Sequence, residues 1–164
     1  MESSTFTKPK LIIRPARSVW AILLMRWVRN QVCEFMTGNN QPIPFWAQVK
    51  WYYQTYKGNP NIRGFLAKES GKTVGYGLII NYDGRWAVTA GFIESARGKG
   101  YGRKMFGFLN NYVFTELKQQ YVYLDVLATN TKAVALYRSL GYKTTGELRG
   151  TLTMRCESPY EAGI

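Results

Sequence analysis

Two short segments of this chain concentrate residue types able to do chemistry. The first, Ile93-Glu-Ser-Ala-Arg97-Gly98-Lys99-Gly100-Tyr101-Gly102-Arg103-Lys104, follows an apolar run and opens a helical one. Glycines let a backbone approach a ligand closely, and free N–H groups at a helix start bind anionic oxygens. Arg97, Lys99, Arg103 and Lys104 add charge suited to phosphate. The loop is not a Walker A, because no Gly-Lys-Ser/Thr ends it, and it lacks the strand context and ribose carboxylate of a dinucleotide fingerprint. An ordinary glycine-rich turn with solvated charges accounts for the same residues. The second segment, Leu124 to Tyr142, sets Asn130, Ala133, Leu136 and Tyr137 on a strand-to-helix unit. Ala133, Leu136 and Leu140 form its buried stripe, while Asn130 reads equally as an N-cap and Tyr137 as a packing residue.

The elements that must hold these segments follow from hydrophobic spacing and from turn residues. Lys10 to Arg14 reads as a strand stopped by Pro15. Trp20, Leu23, Leu24, Trp27, Val28 and Phe35 recur at helical spacing from Ser18 to about Met36, with Gly38-Asn39-Asn40 as the stop. A second helix runs from about Phe45 to Tyr56. Strands are expected at Arg63–Glu69, Thr73–Tyr82 and Trp86–Ile93, the last two joined by an Asp83-Gly84 hairpin turn. A helix from the glycine-rich loop to about Leu117, a strand at Tyr121–Ala128 and a helix at Asn130–Leu140 follow. The last strands lie near Tyr142–Thr145 and Leu148–Arg155. The order is β-αα-βββ-α-β-α-ββ, a single α/β domain over 1–164 with a mixed sheet, because hairpins and helical crossovers both occur.

Composition bounds the chemistry. The 164 residues include no histidine, which removes Ser-His-Asp and Cys-His nucleophiles, imidazole acid–base work and His-containing zinc sites; no metal is expected. With 46% hydrophobic and 15% aromatic residues the chain packs a core rather than staying disordered. Lys and Arg number 22 against 10 Asp and Glu, a net charge of +12 that points to an anionic partner. Cys33 and Cys156 have no metal-ligand spacing and read as free thiols, with pairing open. Met1 to Pro9 is polar, unlike a signal peptide, and is expected to be a flexible tail. The longest apolar run, Val19 to Met25, is far short of a bilayer span. The expectation is a soluble, cytoplasmic protein with no membrane partner.

Together the two segments resemble the GNAT family of acyl-CoA N-acyltransferases. The family's pyrophosphate loop, Arg/Gln-x-x-Gly-x-Gly/Ala, is matched by Arg97, Gly100 and Gly102. Its second signature, Asn-x-x-Ala-x-x-Leu-Tyr-x-x-x-Gly-Phe, is matched by Asn130, Ala133, Leu136, Tyr137 and Gly141, with Tyr142 in place of Phe. The element order agrees too. The resemblance implies an acetyl-CoA-dependent N-acetyltransferase that transfers directly, without a covalent enzyme intermediate. The loop from Arg97 to Gly102, with Gly98, Lys99, Tyr101 and Arg103, would hold the pyrophosphate of acetyl-CoA. Phe92-Ile93 would pair with the pantetheine arm, and a backbone N–H there would polarise the thioester carbonyl. Asn130 would contact that arm, and Tyr137 would protonate the leaving thiolate. The glutamate many members carry on the strand before the loop is missing, so the amine's proton would leave through water, Glu94 or Asp125.

In this family the first helices line the acceptor side, here Trp27, Arg29, Asn30, Trp51 and Tyr52. Residues 1–70 hold ten Lys and Arg against Glu2, Glu34 and Glu69. The Trp27-Val-Arg29-Asn30 element, the Lys50-Trp51-Tyr52-Tyr53 helix and Gly146-Glu-Leu148-Arg149 are similar to branches acetylating nucleotide-linked amino sugars or ribosomal-protein N-termini. The expected acceptor is therefore an amine on an anionic or phosphate-bearing small molecule or a protein N-terminus. Interleaved Trp, Tyr, Lys and Arg keep open a nucleic-acid acceptor, a DNA base or aminoacyl-tRNA, and a non-catalytic nucleic-acid-binding module. The same aromatics at helical spacing also serve as core. Oligomeric state, monomer or dimer, is left open.

Overall fold

The structure, a computed structural model, describes residues 10–160, so the tail expected at 1–9 lies outside the described residues. Period-two alternation builds β1 (Leu11–Pro15), and Ser18 then starts α1 (Val19–Gln31) by accepting the Ala21 N–H at 3.1 Å. A 3-10 turn (Cys33–Phe35) and α2 (Phe45–Trp51) follow. Then come β2 (Ile62–Glu69), β3 (Lys72–Tyr82), β4 (Arg85–Phe92), α3 (Tyr101–Thr115), β5 (Tyr121–Leu127), α4 (Thr131–Ser139), β6 (Lys143–Leu148) and β7 (Thr151–Glu157). This is the expected α/β order.

The strands of the described residues form one mixed sheet in the order β1-β2-β3-β4-β5-β7-β6. Every neighbouring pair is antiparallel except β4 and β5, which run parallel and are in register at Ala87 and Tyr123 alone. Beyond that pair the two strands part. The split leaves backbone groups unpaired on both facing edges, and it opens toward the carboxyl ends, where open α/β sheets take their ligands. α3 packs on β3, β4 and β5, and α1 packs on β2, β3 and β4 from the opposite face. Alternation splits the core accordingly. Phe65, Ala67, Ile79, Val122 and Leu124 meet Met105, Leu109 and Val113 of α3, whereas Leu66 and Tyr76 meet Ile22, Met25 and Val28 of α1.

Three boundaries depart from the sequence expectation. The first helix ends at Gln31 rather than near Met36, because Arg29 near its end turns to hold a returning loop. The second helix widens into a π-helical turn, Tyr52–Tyr56, with Lys57 N–H donating to the Tyr52 carbonyl at 2.8 Å. The extra residue lets Tyr52 donate to the Arg17 carbonyl at 3.3 Å and Tyr56 donate to the Ala16 carbonyl. The last two strands meet at Arg149-Gly150, where φ is 50° and 78°, a tight turn that carries the ladder through Leu148.

A close approach fixes one glycine and leaves another free. A Cβ at Gly75 would lie 2.4 Å from the Phe92 ring and 2.9 Å from the Gly91 carbonyl oxygen, whereas at Gly107 in α3 it would meet nothing within 4 Å. Gly75→Ala is expected to cost about 2 kcal/mol and Gly107→Ala to add about 1 kcal/mol, both read from urea unfolding.

Candidate active site

The β4–β5 split opens into a cleft of about 720 Å³. One wall is β4, with Thr89, Ala90, Gly91 and Phe92, and the other is β5 with Asp125 and Val126. The glycine loop and α3 close one end, α4 supplies Asn130, Lys132, Ala133, Leu136 and Tyr137, and Val32, Phe35, Met36 and Thr37 cover the opposite end.

The loop folds as it does for backbone reasons. Gly98 and Gly100 take φ of 76° and 78°, left-handed values that favour glycine, and Gly100 is the N-cap of α3. A helix start leaves its first N–H groups without intrahelical acceptors, so the α3 terminus offers donors and the positive end of a dipole to the cleft. The cations around it divide. Arg97 and Arg103 line the cleft, Arg97 lying 5.4 Å over the Phe35 ring and Arg103 donating to Ser139 Oγ at 2.8 Å. Lys99 is turned away, paired with Glu69 at 3.0 Å, and the Tyr101 hydroxyl also donates to Glu69. Those two donors, Tyr101 first, hold the Glu69 carboxyl below its usual range, and the same bond pushes the Tyr101 phenol up to about 12.

On β4 the Ile93 N–H is committed to the Val74 carbonyl at 2.9 Å. Successive backbone groups point to opposite edges, so the N–H of Phe92 faces the split. Of the Phe92-Ile93 pair, Phe92 therefore has the donor able to meet a ligand there. Asn130 caps α4, accepting the Ala133 N–H at 3.3 Å, and lines the cleft as well.

Tyr137 is half-buried, its ring edge-on to Phe106 at 4.8 Å and to Tyr142 at 5.9 Å. Burial, with Tyr76 nearby, pushes its phenol up to about 12, so it keeps its proton at neutral pH. Asp125 is exposed on the facing wall and accepts from Thr153 Oγ1 at 2.9 Å. Glu94 sits exposed on the 3-10 turn Glu94–Ala96 and is not part of the lining. The spacing of the two carboxylates in sequence gave no sign of this difference.

On the α1 side, Arg29 is 8% exposed and donates to the Gln41 and Asn39 carbonyls, while Asn30 exchanges two bonds with the Ile43 backbone at 2.9 and 3.0 Å. These residues hold the 39–43 loop rather than facing the cleft. Trp51 and Tyr52 pack in the core beneath α1, and Trp27 is exposed. Sequence reasoning missed Phe106, which seats the Tyr137 ring, and Phe35 under Arg97. Phe106 was readable from helical spacing on α3; nothing local marks Phe35. Both cysteines are free thiols, and among the described residues no helix is long and apolar enough to cross a membrane.

A profile of the acetyltransferase (GNAT) family matches residues 25–142, most of the chain and both segments singled out above. The chain belongs to the GNAT acetyltransferase family. Over 79 residues it is 35% identical to the spermine/spermidine N(1)-acetyltransferase of Bacillus subtilis (strain 168), a match covering 44% of this chain and 52% of that protein. The match thus spans about half the length of that relative. Among solved GNAT structures, a putative acetyltransferase from Salmonella typhimurium with its cofactor acetyl-CoA superposes with a TM-score of 0.73 at 18% identity, covering 94% of this chain and 98% of that one. The ribosomal-protein-alanine N-acetyltransferase of Brucella melitensis gives a TM-score of 0.72 at 20% identity over 90% and 99%. The spermidine/spermine N-acetyltransferase of Vibrio cholerae gives 0.72 at 21% identity over 90% and 92%. At these identities the likeness is one of fold.

Several buried phenols give this GNAT fold an alkaline limit. Burial raises Tyr76 and Tyr137 to about 12 and raises Tyr56 and Tyr142 as well. In the unfolded chain tyrosines ionise near 10. Above that pH the unfolded state loses protons the folded state still holds, so stability is full below pH 10 and falls as pH rises toward 12. A thermal melt at pH 11 is expected to lie clearly below one at pH 9.

Proposed function

We propose that this chain is an acetyl-CoA-dependent N-acetyltransferase moving the acetyl group directly to a primary amine on an anionic or phosphate-bearing acceptor. The observation that carries this is the β4–β5 split, with Tyr137 on one side, Asp125 on the other and a glycine loop on a helix start at its end. The residues fit acetyl-CoA: a cleft of about 720 Å³, left-handed glycines at Gly98 and Gly100, and a β4 edge free to pair with an extended arm.

Bound acetyl-CoA would supply a thioester acyl group; transfer forms a C–N bond and breaks the C–S bond, the nitrogen losing a proton and the sulfur gaining one. The loop N–H groups with Arg97 and Arg103 would hold the pyrophosphate. The Phe92 N–H would steady an oxygen that becomes negative. A free alkylamine is protonated at neutral pH, with a pKa of about 10. Asp125, directly or through one water, would take that proton, and Thr153 keeps its carboxylate in place. Tyr137 would donate its hydroxyl hydrogen toward the sulfur.

The relatives named for spermine and spermidine suggest a polyamine as second reading. Against it, Asp125 is the one carboxylate among the described residues of the lining, beside Arg97, Arg103 and Lys132, in a chain of net charge +12. A polycation needs facing anions, and this cleft favours an acceptor that carries its own. The test is acetyl-CoA consumption across nucleotide-linked amino sugars, N-terminal peptides, nucleic acids and spermidine. Anionic acceptors are expected to outpace spermidine; spermidine as best substrate would overturn the acceptor class. Asp125→Asn should lower kcat about 10–100-fold with alkylamines and far less with weakly basic aromatic amines, which are already neutral before attack and whose nitrogen loses its proton readily once acylated.

A further inference from the structure

We propose that the open face of β5 is a docking platform for a nucleotide carried by the acceptor. The proposal rests on the acetyl-transfer reading of the cleft and names what the acceptor brings to it.

Alternation sends Val122, Leu124 and Val126 into the core beneath α3 and puts Tyr121, Tyr123 and Asp125 on the opposite face. On that face α1 covers β2, β3 and β4, so its layer stops at the split. Two arginines lie on the tyrosines. Arg155 of β7 sits 4.4 Å from the Tyr121 ring centroid, and Arg85 of β4 sits 5.1 Å from that of Tyr123. Both are exposed, and the one ion pair among the described residues is Lys99 with Glu69, so neither guanidinium has a described carboxylate within 4.0 Å. Glu157, further along this face of β7, accepts from Gln120 Nε2 at 3.3 Å.

A guanidinium resting on a phenol keeps its edge donors and its outer face, and the ring reduces the freedom it loses on binding. Such a pair offers a planar surface for a base and a fork for phosphate, and here two pairs stand side by side. Tyr123 precedes Asp125 by two positions on the same face, about 7 Å, and Tyr121 by about 13 Å. A nucleotide on the platform thus places an amine attached through a sugar or an ester within reach of Asp125. The two pairs span about 7 Å along β5, room for one base and its phosphates, so the occupant is a free nucleotide-linked amine rather than a strand.

The test saturates the protein with CoA, so that the cleft's own nucleotide site is filled, and titrates uridine diphosphate and a short oligothymidylate separately by calorimetry. Uridine diphosphate is expected to bind. Arg85→Gln with Arg155→Gln should weaken that binding about tenfold or more, with CoA affinity and melting temperature unchanged. If the Gln pair does not fold, Arg85→Lys with Arg155→Lys keeps charge, removes the stacking plane and should still weaken binding severalfold. Uridine diphosphate binding at least as tightly as the oligothymidylate is the expected result; binding that rises with strand length and falls steeply with salt overturns the free nucleotide as occupant. No binding of either probe to CoA-saturated protein, or binding indifferent to the arginines, overturns the platform. Failure of CoA itself to bind would sink the acetyl-transfer reading instead, and arginine-dependent probe binding would then still uphold the platform.

Discussion

Tyr137→Phe is expected to lower kcat about 100–1000-fold while leaving the Kd for acetyl-CoA nearly unchanged. The ring's packing on Phe106 and Tyr142 survives in Phe, so the cleft wall keeps its shape. Only the hydroxyl is lost. With its phenol at about 12, Tyr137 holds its proton far more tightly than a free thiol does, near 8.5. In the proposed mechanism it would hydrogen-bond the cofactor's sulfur as charge builds there, giving up its proton as the C–S bond breaks. The wild-type kcat profile should accordingly show no break from this residue between pH 6 and 9. Steady-state kinetics beside calorimetry checks both parts; equal losses in kcat and cofactor affinity would assign Tyr137 to binding alone.

Gly98→Ala with Gly100→Ala should weaken acetyl-CoA binding about 30–1000-fold with little change in unfolding free energy. Each residue holds a left-handed φ, 76° and 78°, which costs a non-glycine residue about 1–2 kcal/mol. A Cβ meets nothing within 4 Å at either position, so sterics with neighbours are not the cause. The loop is exposed, so in the variant without cofactor it is free to relax out of that strain. Binding must restore the left-handed pair to aim the N–H groups, and the strain then appears as lost affinity. Gly107→Ala in the same helix is the control, stabilising without touching the cofactor.

Much of this was legible because its causes are local. A glycine loop between strand and helix, and a cap followed by a helical stripe, are written within a dozen residues each, so both helix starts are legible in the chain itself. What the sequence leaves illegible is long-range. Lys99 reads as a phosphate ligand until the β2–β3 hairpin brings Glu69 beside it. Arg29 and Asn30 read as acceptor residues, yet their partners lie nine or more residues on, in a loop whose carbonyls need donors. Trp51 and Tyr52 read as acceptor residues beside Lys50, yet the π-helical turn commits Tyr52 to the core. Asp125 and Glu94 are indistinguishable as candidate bases until the split sets one inside the cleft. Net charge was the least specific clue, since cations at the loop, the α1 layer and the β5 face do different things.

The central claim is that the β4–β5 split and the α3 start form the acetyl-CoA site. Amide hydrogen exchange with and without acetyl-CoA tests it directly. The claim predicts slowed exchange at Gly98 to Arg103 and at Phe92, with the groove between α3 and β7, around Asn111 and Tyr160, unaffected. Protection confined to that groove, or none anywhere at saturating acetyl-CoA, would contradict it.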